Sequence, residues 1–472
     1  DATPACESSA MCPDEAPICR SNSCTSCSVG GGNGDAECTA RDASFPFCGL
    51  DGRCLECVSN QHCDDPGRPV CDFDQGLCVP CESDGSCGSG ICDADSGECI
   101  DEGDIVYVDP VNGNDGPFCG NGDGNEACRR LGGSQGGLAK VGGSRNYVHL
   151  AAANAIEAVE ISGIDVEIVG EDDGSTTAAI FPMSFNITPA LRVSSGANVR
   201  LRNVAVSGGN GVPNGAGILC SDSTLSLDAV QLHNSDSAGL SANDCTVQVE
   251  NSLISGNNQQ GLLLAGGSIG LSATQIIDNG FQGLRATGVA VELLDSILRN
   301  NAAGGLRLSS SSFLVENCVI ADNGDPFVNP SSPAGGIAIT NSTSTSPQVI
   351  RHSTIANNRG PAFLGSAGLD CSSSALAVQV SSSIIVGNAQ TNATPQTAGN
   401  CALTYSAVPG ISTGTGNVSN SASFVNAEQG DYHLADGSAG IDIADPASPT
   451  QRDLEGTSRP QGAGFDMGAY ER

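Results

Sequence analysis

The sequence predicts an all-β chain in which a parallel solenoid of short strands follows a disulfide-rich repeat module. Three observations lead to this prediction. A glycine followed by Ile or Leu recurs every 22 residues from Gly217 to Gly305, aliphatic residues recur at fixed offsets within the same repeats, and sixteen cysteines in residues 1–103 fall into four sets of four. Self-similarity at a fixed step is typical of repeat architectures and takes precedence over any local pattern.

The glycine column sets the length of one coil. Its members are Gly217, Gly239, Gly261, Gly283 and Gly305, and longer steps lead to Gly336 and Gly368. Three aliphatic columns accompany it, beginning with Leu225, Leu227 and Leu232 and continuing with Val247, Val249 and Ile254. Two of these columns lie two residues apart, which is the period of a strand whose alternate side chains face inward. A coil of 22 residues has no room for a crossover helix, so three strands per coil must stack in parallel sheets.

An asparagine follows the third strand of each coil. The column holds Asn257, Asn279, Asn301, Asn323, Asn358 and Asn388. Asparagine tolerates turn geometry, and stacked amides pass hydrogen bonds from one coil to the next. We predict a structural ladder at this bend. The alternative, that the aligned amides bind a sugar chain, requires them to face outward.

These columns resemble the right-handed parallel β-helix proteins of the pectin-lyase-like group. The resemblance implies a right-handed parallel β-helix over residues 147–425. It leaves the activity open, because this fold carries polysaccharide lyases and hydrolases as well as inert surface proteins.

The cysteines of residues 1–103 form tandem modules. The four sets are Cys6, Cys12, Cys19, Cys24; Cys27, Cys38, Cys48, Cys54; Cys57, Cys63, Cys71, Cys78; and Cys81, Cys87, Cys92, Cys99. Modules this small bury too little apolar surface to fold alone and need covalent staples. We predict eight disulfides formed in an oxidising compartment. Zinc, the alternative that the C-x-x-C steps raise, is bound by thiolates in reducing compartments.

The third and fourth modules share the pattern C-D-x-D-x-G-x-C. Its carboxylates are Asp72, Asp74, Asp93 and Asp95. Carboxylates at this spacing are candidate calcium ligands, so calcium is the one cofactor that the sequence leaves open. The same pattern also forms a simple hairpin turn, and this second interpretation is favoured.

Residues 104–146 are predicted to cap the N-terminal end of the solenoid. The run Tyr107-Val108-Asp109, followed by Asn112-Gly113-Asn114-Asp115, resembles the opening of many bacterial β-helix proteins. An open end of stacked strands must also be covered. We expect Cys119 and Cys128 to close this loop, and Cys220 with Cys245 and Cys371 with Cys401 to bridge neighbouring coils. Cys318 then remains as a small residue in a column of serines.

The last stretch, residues 426–472, carries a further resemblance. Asp431-Tyr432-His433-Leu434 and Asp466-Met467-Gly468-Ala469-Tyr470-Glu471 are similar to the final segment of the choice-of-anchor group of bacterial β-helix proteins. The resemblance implies that this segment closes the C-terminal end of the stack. Arg459 among Asp442, Asp453 and Asp466 then indicates a structural ion-pair cluster.

Composition restricts the partners and the compartment. Acidic residues outnumber basic ones by 53 to 19 and give a net charge of −34, which disfavours nucleic acid as a partner. No apolar run reaches about 18 residues, so no transmembrane segment is expected. The chain starts at Asp1 without an apolar leader. We therefore expect a signal peptide to have been removed and the protein to be secreted, extracellular or attached to the cell surface.

Residue patterns for catalysis are weak in this chain. A lyase of this fold requires clustered carboxylates beside a basic residue, whereas Lys140 lies outside the regular coils and His233 and His352 stand far apart. We therefore assign no catalytic residue. Arg285, Arg307 and Asp370 share one outward column of the coils, and we predict a ligand-binding site there that suits a carboxylate-bearing sugar.

The sequence therefore favours a non-catalytic extracellular or cell-surface protein with a structural or adhesive role. Its expected partners are surface glycans or further copies of itself, assembled into fibres. The alternative is a secreted polysaccharide lyase or glycoside hydrolase that acts in the groove beside the insertions of the later coils.

Overall fold

The computed structural model describes residues 6–29, 33–171, 176–182, 188–209, 211, 215–325, 334–341, 348–360, 367–388 and 396–472. The chain divides into two compact units, Asp1–Ile105 and Val106–Arg472. The first is built from cysteine-rich hairpins and the second from three parallel sheets. This architecture confirms the predicted fold class.

The first unit repeats one antiparallel hairpin per module. The four strand pairs are Ile18–Arg20 with Ser23–Thr25, Phe47–Cys48 with Cys54–Leu55, Val70–Asp72 with Leu77–Val79, and Cys92–Asp93 with Glu98–Cys99. Its α-helix is Gly34–Arg41, and its 3-10 turns are Ser9–Met11, Asn60–His62, Asp84–Ser86 and Glu102–Asp104. Cysteines dominate the small core of each module, as expected for units that bury little apolar surface.

Disulfides join the first cysteine of each module to the third and the second to the fourth. The bonds are Cys6–Cys19 and Cys12–Cys24, Cys27–Cys48 and Cys38–Cys54, Cys57–Cys71 and Cys63–Cys78, and Cys81–Cys92 and Cys87–Cys99. Every bond therefore lies within one module. Three more bonds, Cys119–Cys128, Cys220–Cys245 and Cys371–Cys401, lie in the second unit.

The second unit contains three parallel sheets, which we call sheets I, II and III. Sheet I holds the strands Ile105–Val108, Tyr147–Leu150, Asp165–Gly170, Asn198–Arg202, Thr224–Asp228, Thr246–Glu250, Ser268–Ser272, Ala290–Leu294, Ser312–Glu316, Gln348–Arg351, Val378–Ser381 and Cys401–Thr404. Sheet II holds Asn154–Ala155, Ala179–Ile180, Ala205–Ser207, Gln231–His233, Leu253–Ser255, Gln275–Ile277, Ile297–Arg299, Val319–Ala321, Thr354–Ala356 and Ile384–Val386. Sheet III holds Val159–Ser162, Leu191–Ser194, Ile218–Ser221, Leu240–Asn243, Leu262–Ala265, Gln282–Thr287, Gly304–Ser309, Ile337–Thr340, Leu369–Cys371 and Thr397–Gly399.

The predicted columns are the pairing registers of these sheets. Leu225 pairs with Val247 in sheet I, and Leu232 pairs with Ile254 in sheet II. All four side chains are at most 1% exposed. Because the side chains of a strand alternate, the residues between them face outward. The interior is thus one continuous aliphatic core, which confirms the predicted stacking.

The asparagine ladder faces the interior. Asn279 donates from Nδ2 to Oδ1 of Asn301 at 2.9 Å, and Asn301 repeats the contact to Asn323 at 3.0 Å. These amides are buried, so the structural prediction is confirmed and the outward, sugar-binding alternative is wrong. The ladder also explains the glycine column, because a Cβ on Gly283 would lie 2.8 Å from Nδ2 of Asn301.

The C-terminal segment lies along the side of the solenoid. After a hairpin of Phe424–Asn426 with Asp431–Leu434 and a 3-10 turn at Ala427–Gln429, the chain packs Tyr432, Met467 and Ala469 against the outward side chains of sheet II. The backbone N–H of Ala469 donates to Oγ1 of Thr354 at 3.1 Å. The choice-of-anchor resemblance implied a segment that closes the end of the stack. The C-terminal end of the stack is instead covered by residues that precede this segment, because Val408 and Ile411 pack against the interior core.

The N-terminal end is covered by the irregular chain between the first two strands of sheet I. It contains 3-10 turns at Gly124–Glu126 and Gly137–Lys140. Leu131 is fully buried against the core, and Leu138 packs beside it. Within the described residues, no helix combines the length and the apolar character that a membrane crossing requires.

Candidate functional site

Sheet III brings the two predicted arginines together. Arg285 is the register partner of Arg307, Arg307 of Ala338, and Ala338 of Asp370. Neighbouring strands lie about 4.8 Å apart, so the two guanidinium groups extend from adjacent coils. Asp370 shares the column, but one whole coil separates it from Arg307. Its carboxylate accepts a hydrogen bond from the N–H of Ser372 at 2.8 Å, and the residue is only 4% exposed.

The arginine pair lacks an acidic partner. Arg202, Arg299 and Arg351 form ion pairs with Glu167, Asp322 and Glu316 at 3.1, 2.8 and 2.6 Å. Neither Arg285 nor Arg307 forms an ion pair with any residue that the structure describes. Burial, followed by repulsion from Arg285, lowers the pKa of Arg307 below its usual value. Two cations held side by side repel each other, and an anion placed between them would relieve this repulsion.

A groove on the outer face of sheet I was not predicted. Its volume is about 630 Å³. One outward column runs along it through Gln248, Gly270, Glu292, Leu314 and Val349. We call these residues the sheet I groove. The sequence feature that could have indicated this groove is Gly270, since a glycine among outward-facing side chains leaves a gap in the surface of the sheet.

The sheet I groove combines an apolar floor with one unpaired carboxylate. Leu314 and Val349 are register partners and half-buried. Glu292 is exposed and has no ion-pair partner among the described residues. Arg351 lies at the edge of the groove, where it already pairs with Glu316. Such a surface can contact the apolar face of a sugar ring and accept hydrogen bonds from its hydroxyls.

Two of the four candidate calcium ligands, Asp72 and Asp93, accept hydrogen bonds within their own hairpins. Asp72 accepts hydrogen bonds from the N–H groups of Asp74 and Gln75 at 2.9 and 3.0 Å. Asp93 accepts one from the N–H of Asp95 at 3.0 Å. Backbone hydrogen bonds keep the pKa of Asp72 below its usual value. The described residues place the four aspartates at two separate turns, so the geometry supports the turn interpretation and gathers no calcium ligand set.

Close groups of cysteines are the only metal-like clusters found in the described part of the chain, and their sulfurs are bonded as disulfides. The remaining cysteine, Cys318, is fully buried. Its backbone N–H donates to Oγ of Ser353 at 3.3 Å. Burial raises the pKa of its thiol far above the usual range. It therefore fills a serine position, and its thiolate is strongly disfavoured.

The predicted acidic cluster around Arg459 exists with a different partner. The guanidinium donates to Oε2 of Glu471 at 2.9 Å and to the carbonyl oxygens of Asp466 and Gly468. Asp453 and Asp466 accept backbone hydrogen bonds nearby. Burial, together with repulsion from Glu471, raises the pKa of Asp466 to about 6. Side chains this deeply enclosed hold the segment in place.

Comparisons with known proteins agree with this fold. The family model for a right-handed beta helix region matches residues 216–426, and a family of unknown function (DUF8331) matches residues 1–106. The crystal structure of pectate lyase Pel9A is similar at 13% identity and a TM-score of 0.53, with 78% of this chain and 96% of that chain covered. No curated protein sequence matches the chain. The chain is therefore a right-handed parallel β-helix preceded by a disulfide-rich module.

Proposed function

We propose that this chain is a non-catalytic extracellular or cell-surface protein with a structural and adhesive role. The observation that carries the proposal is the arginine pair Arg285–Arg307, which has no acidic partner among the described residues in a chain of net charge −34. Its ligand is an acidic polysaccharide. A uronate carboxylate would accept hydrogen bonds from both guanidinium groups.

Rigidity supports the structural part of the proposal. Eleven disulfides are what an oxidising compartment produces. The asparagine ladder and the aliphatic columns fix each coil on its neighbour. A rigid, flat wall presents its side chains at a regular spacing, which suits a repeating polymer.

The test is binding of the full chain to polygalacturonate and to a neutral galactan. We expect binding to the acidic polymer only, weakened by salt. The double variant Arg285→Gln/Arg307→Gln should bind about tenfold more weakly. Arg192→Gln is the matched control, because Arg192 occupies the same sheet III column beside Glu160. Equal binding of both polymers, or full binding by the double variant, would reject the proposal.

Self-association is the second part of the structural proposal. A head-to-tail contact between copies would be heterologous and would build an open filament. Gel filtration and electron microscopy across calcium and salt concentrations test this part separately. Monomers under every condition would remove the fibre while leaving the glycan site intact.

The enzymatic alternative is favoured by a specific observation, the unpaired Glu292 in the sheet I groove of a fold shared with a pectate lyase. A polysaccharide lyase would release unsaturated products, and a hydrolase would release reducing ends. Incubation with acidic and neutral polysaccharides separates the two activities from mere binding. If products form and Glu292→Gln abolishes them, the protein is an enzyme and the non-catalytic assignment is rejected.

A further inference from the structure

A polar pocket lies where the bend between sheets II and III meets the C-terminal segment. We call it the corner pocket, and its volume is about 580 Å³. Its lining consists of Arg299, Asn300, Asp322, Gly324, Asn357, Arg359, Gly387, Ala427 and Glu428. Most of these side chains are charged or amide groups and none is large and apolar. Its size falls within the range of small-molecule sites, and its lining demands a polar occupant.

The floor of the corner pocket is a stack of left-handed residues. Asn300, Asp322 and Asn357 each have a φ of 56–57° and follow register-paired strands of sheet II in successive coils. Asp322 is held in place by Nε of Arg299 at 2.8 Å and by the hydroxyl of Tyr432 at 2.9 Å. The regular coil stack therefore presets the positions of the polar groups on this floor.

Two opposite charges in the pocket walls remain unpaired. Arg359 is exposed, and its guanidinium forms no ion pair with the described residues. Its backbone N–H donates to the carbonyl oxygen of Asn323 at 2.7 Å. Glu428, which the C-terminal segment contributes from the turn Ala427–Gln429, likewise has no ion-pair partner in the described ranges. The side-chain amide of Asn300 is exposed too. The pocket thus offers one cation, one carboxylate and one amide to a ligand.

We propose that the corner pocket binds a single sugar-acid residue. Its carboxylate would accept hydrogen bonds from the guanidinium of Arg359, and its hydroxyls would donate to Glu428 and exchange hydrogen bonds with the amide of Asn300. A neutral sugar would leave Arg359 without an anion. An apolar molecule would bury the polar groups of the lining without hydrogen-bond partners. The site is separate from the Arg285–Arg307 column and does not depend on it.

Saturation-transfer difference NMR of the full chain tests the pocket with free D-galacturonate, D-glucuronate, D-galactose and glycine. We expect saturation transfer to the two sugar acids. Arg359→Gln should weaken their binding about tenfold, because a charge-assisted hydrogen bond is lost. Glu428→Gln should weaken binding of the two sugar acids, because their hydroxyls lose an acceptor, and should not create affinity for galactose. Both side chains are exposed, so neither substitution should alter the unfolding midpoint.

The matched control is Arg130→Gln, which removes an exposed arginine outside both proposed sites and should leave binding of the monosaccharides unchanged. If galactose binds as well as galacturonate, or if Arg359→Gln binds both acids like the wild type, the proposal is overturned. Stronger transfer to glycine than to the sugar acids would make the pocket a zwitterion site and reject the sugar assignment. Loss of polysaccharide binding in Arg285→Gln/Arg307→Gln with an intact corner pocket would show that the two sites are independent.

Discussion

Arg459 and Glu471 form a salt bridge of 2.9 Å in which both side chains have no solvent exposure. Both residues belong to the C-terminal segment, so the pair connects two parts of that segment. A second guanidinium nitrogen of Arg459 contacts Oδ1 of Asn317 on the solenoid at 3.4 Å. A buried pair contributes little net stability when intact, whereas removal of one partner leaves an uncompensated charge.

Arg459→Met is therefore expected to destabilise the second unit by about 3–5 kcal/mol. Denaturant unfolding monitored by circular dichroism measures the loss. The control is Arg130→Gln, which removes a solvent-exposed guanidinium from its pair with Asp115 and should change the midpoint much less. Equal effects of the two substitutions would show that the buried pair does not hold the segment.

Asn301→Ala should cost about 2–4 kcal/mol, since it leaves several buried partners without hydrogen bonds. Asn301 donates to the carbonyl oxygen of Ile276 at 2.8 Å and accepts from Asn279 at 2.9 Å. The neighbouring Asn300→Gly is the control, because Asn300 is exposed and glycine adopts its φ of 56° without strain. Thermal unfolding of the two variants separates the ladder from the turn. A midpoint of Asn301→Ala equal to that of the control would contradict the role of the ladder.

Acid should weaken the contact between the solenoid and the C-terminal segment through His352. The ring is fully buried, and its Nε2 lies 2.8 Å from Oγ of Ser448. Burial, followed by repulsion from Arg459, lowers its pKa to about 3. The unfolded chain takes up this proton near pH 6.5, so stability falls as the pH drops from about 6.5 towards 3.

His352→Asn, which suits the positive φ at this position, should lose less stability between pH 7 and pH 4 than the wild type. Two groups act in the opposite direction. The raised pKa of Asp466, about 6, adds stability as the pH falls below that value. Asp431 and Glu455 outweigh burial and raise the pKa of His433, so His433 adds stability at acidic pH that disappears as the pH rises through its folded pKa. His433→Asn should therefore steepen the acid loss. A wild-type pH profile in both variants would refute these assignments.

Reduction should unfold the first unit and spare the second. The modules have small cores made largely of cysteine, whereas the coils share a continuous aliphatic core. Limited proteolysis with and without dithiothreitol measures the difference. We expect cleavage within residues 6–105 only after reduction, with the β-sheet circular dichroism signal retained. Resistance of the modules after full reduction would show that their disulfides are dispensable.

The core was predictable from the sequence because its spacing is local. Leu225, Val247 and Ile269 stand one coil apart, and any parallel stack must place them together. The pairing of Arg285 with Arg307 follows from the same spacing. Long-range packing left no such periodic signal. For this reason the partner of Arg459, the position of the last segment on sheet II and the corner pocket required the structure.

The arrangement of disulfide bonds in the first unit determines how this unit responds to a pulling force. The interlaced bonds span residues 6–24, 27–54, 57–78 and 81–99. Between Cys6 and Cys99, only the two residues between successive spans lie outside every disulfide loop. A pulling force applied to the ends of this unit can therefore draw out little slack, and the modules behave as a short inextensible tether.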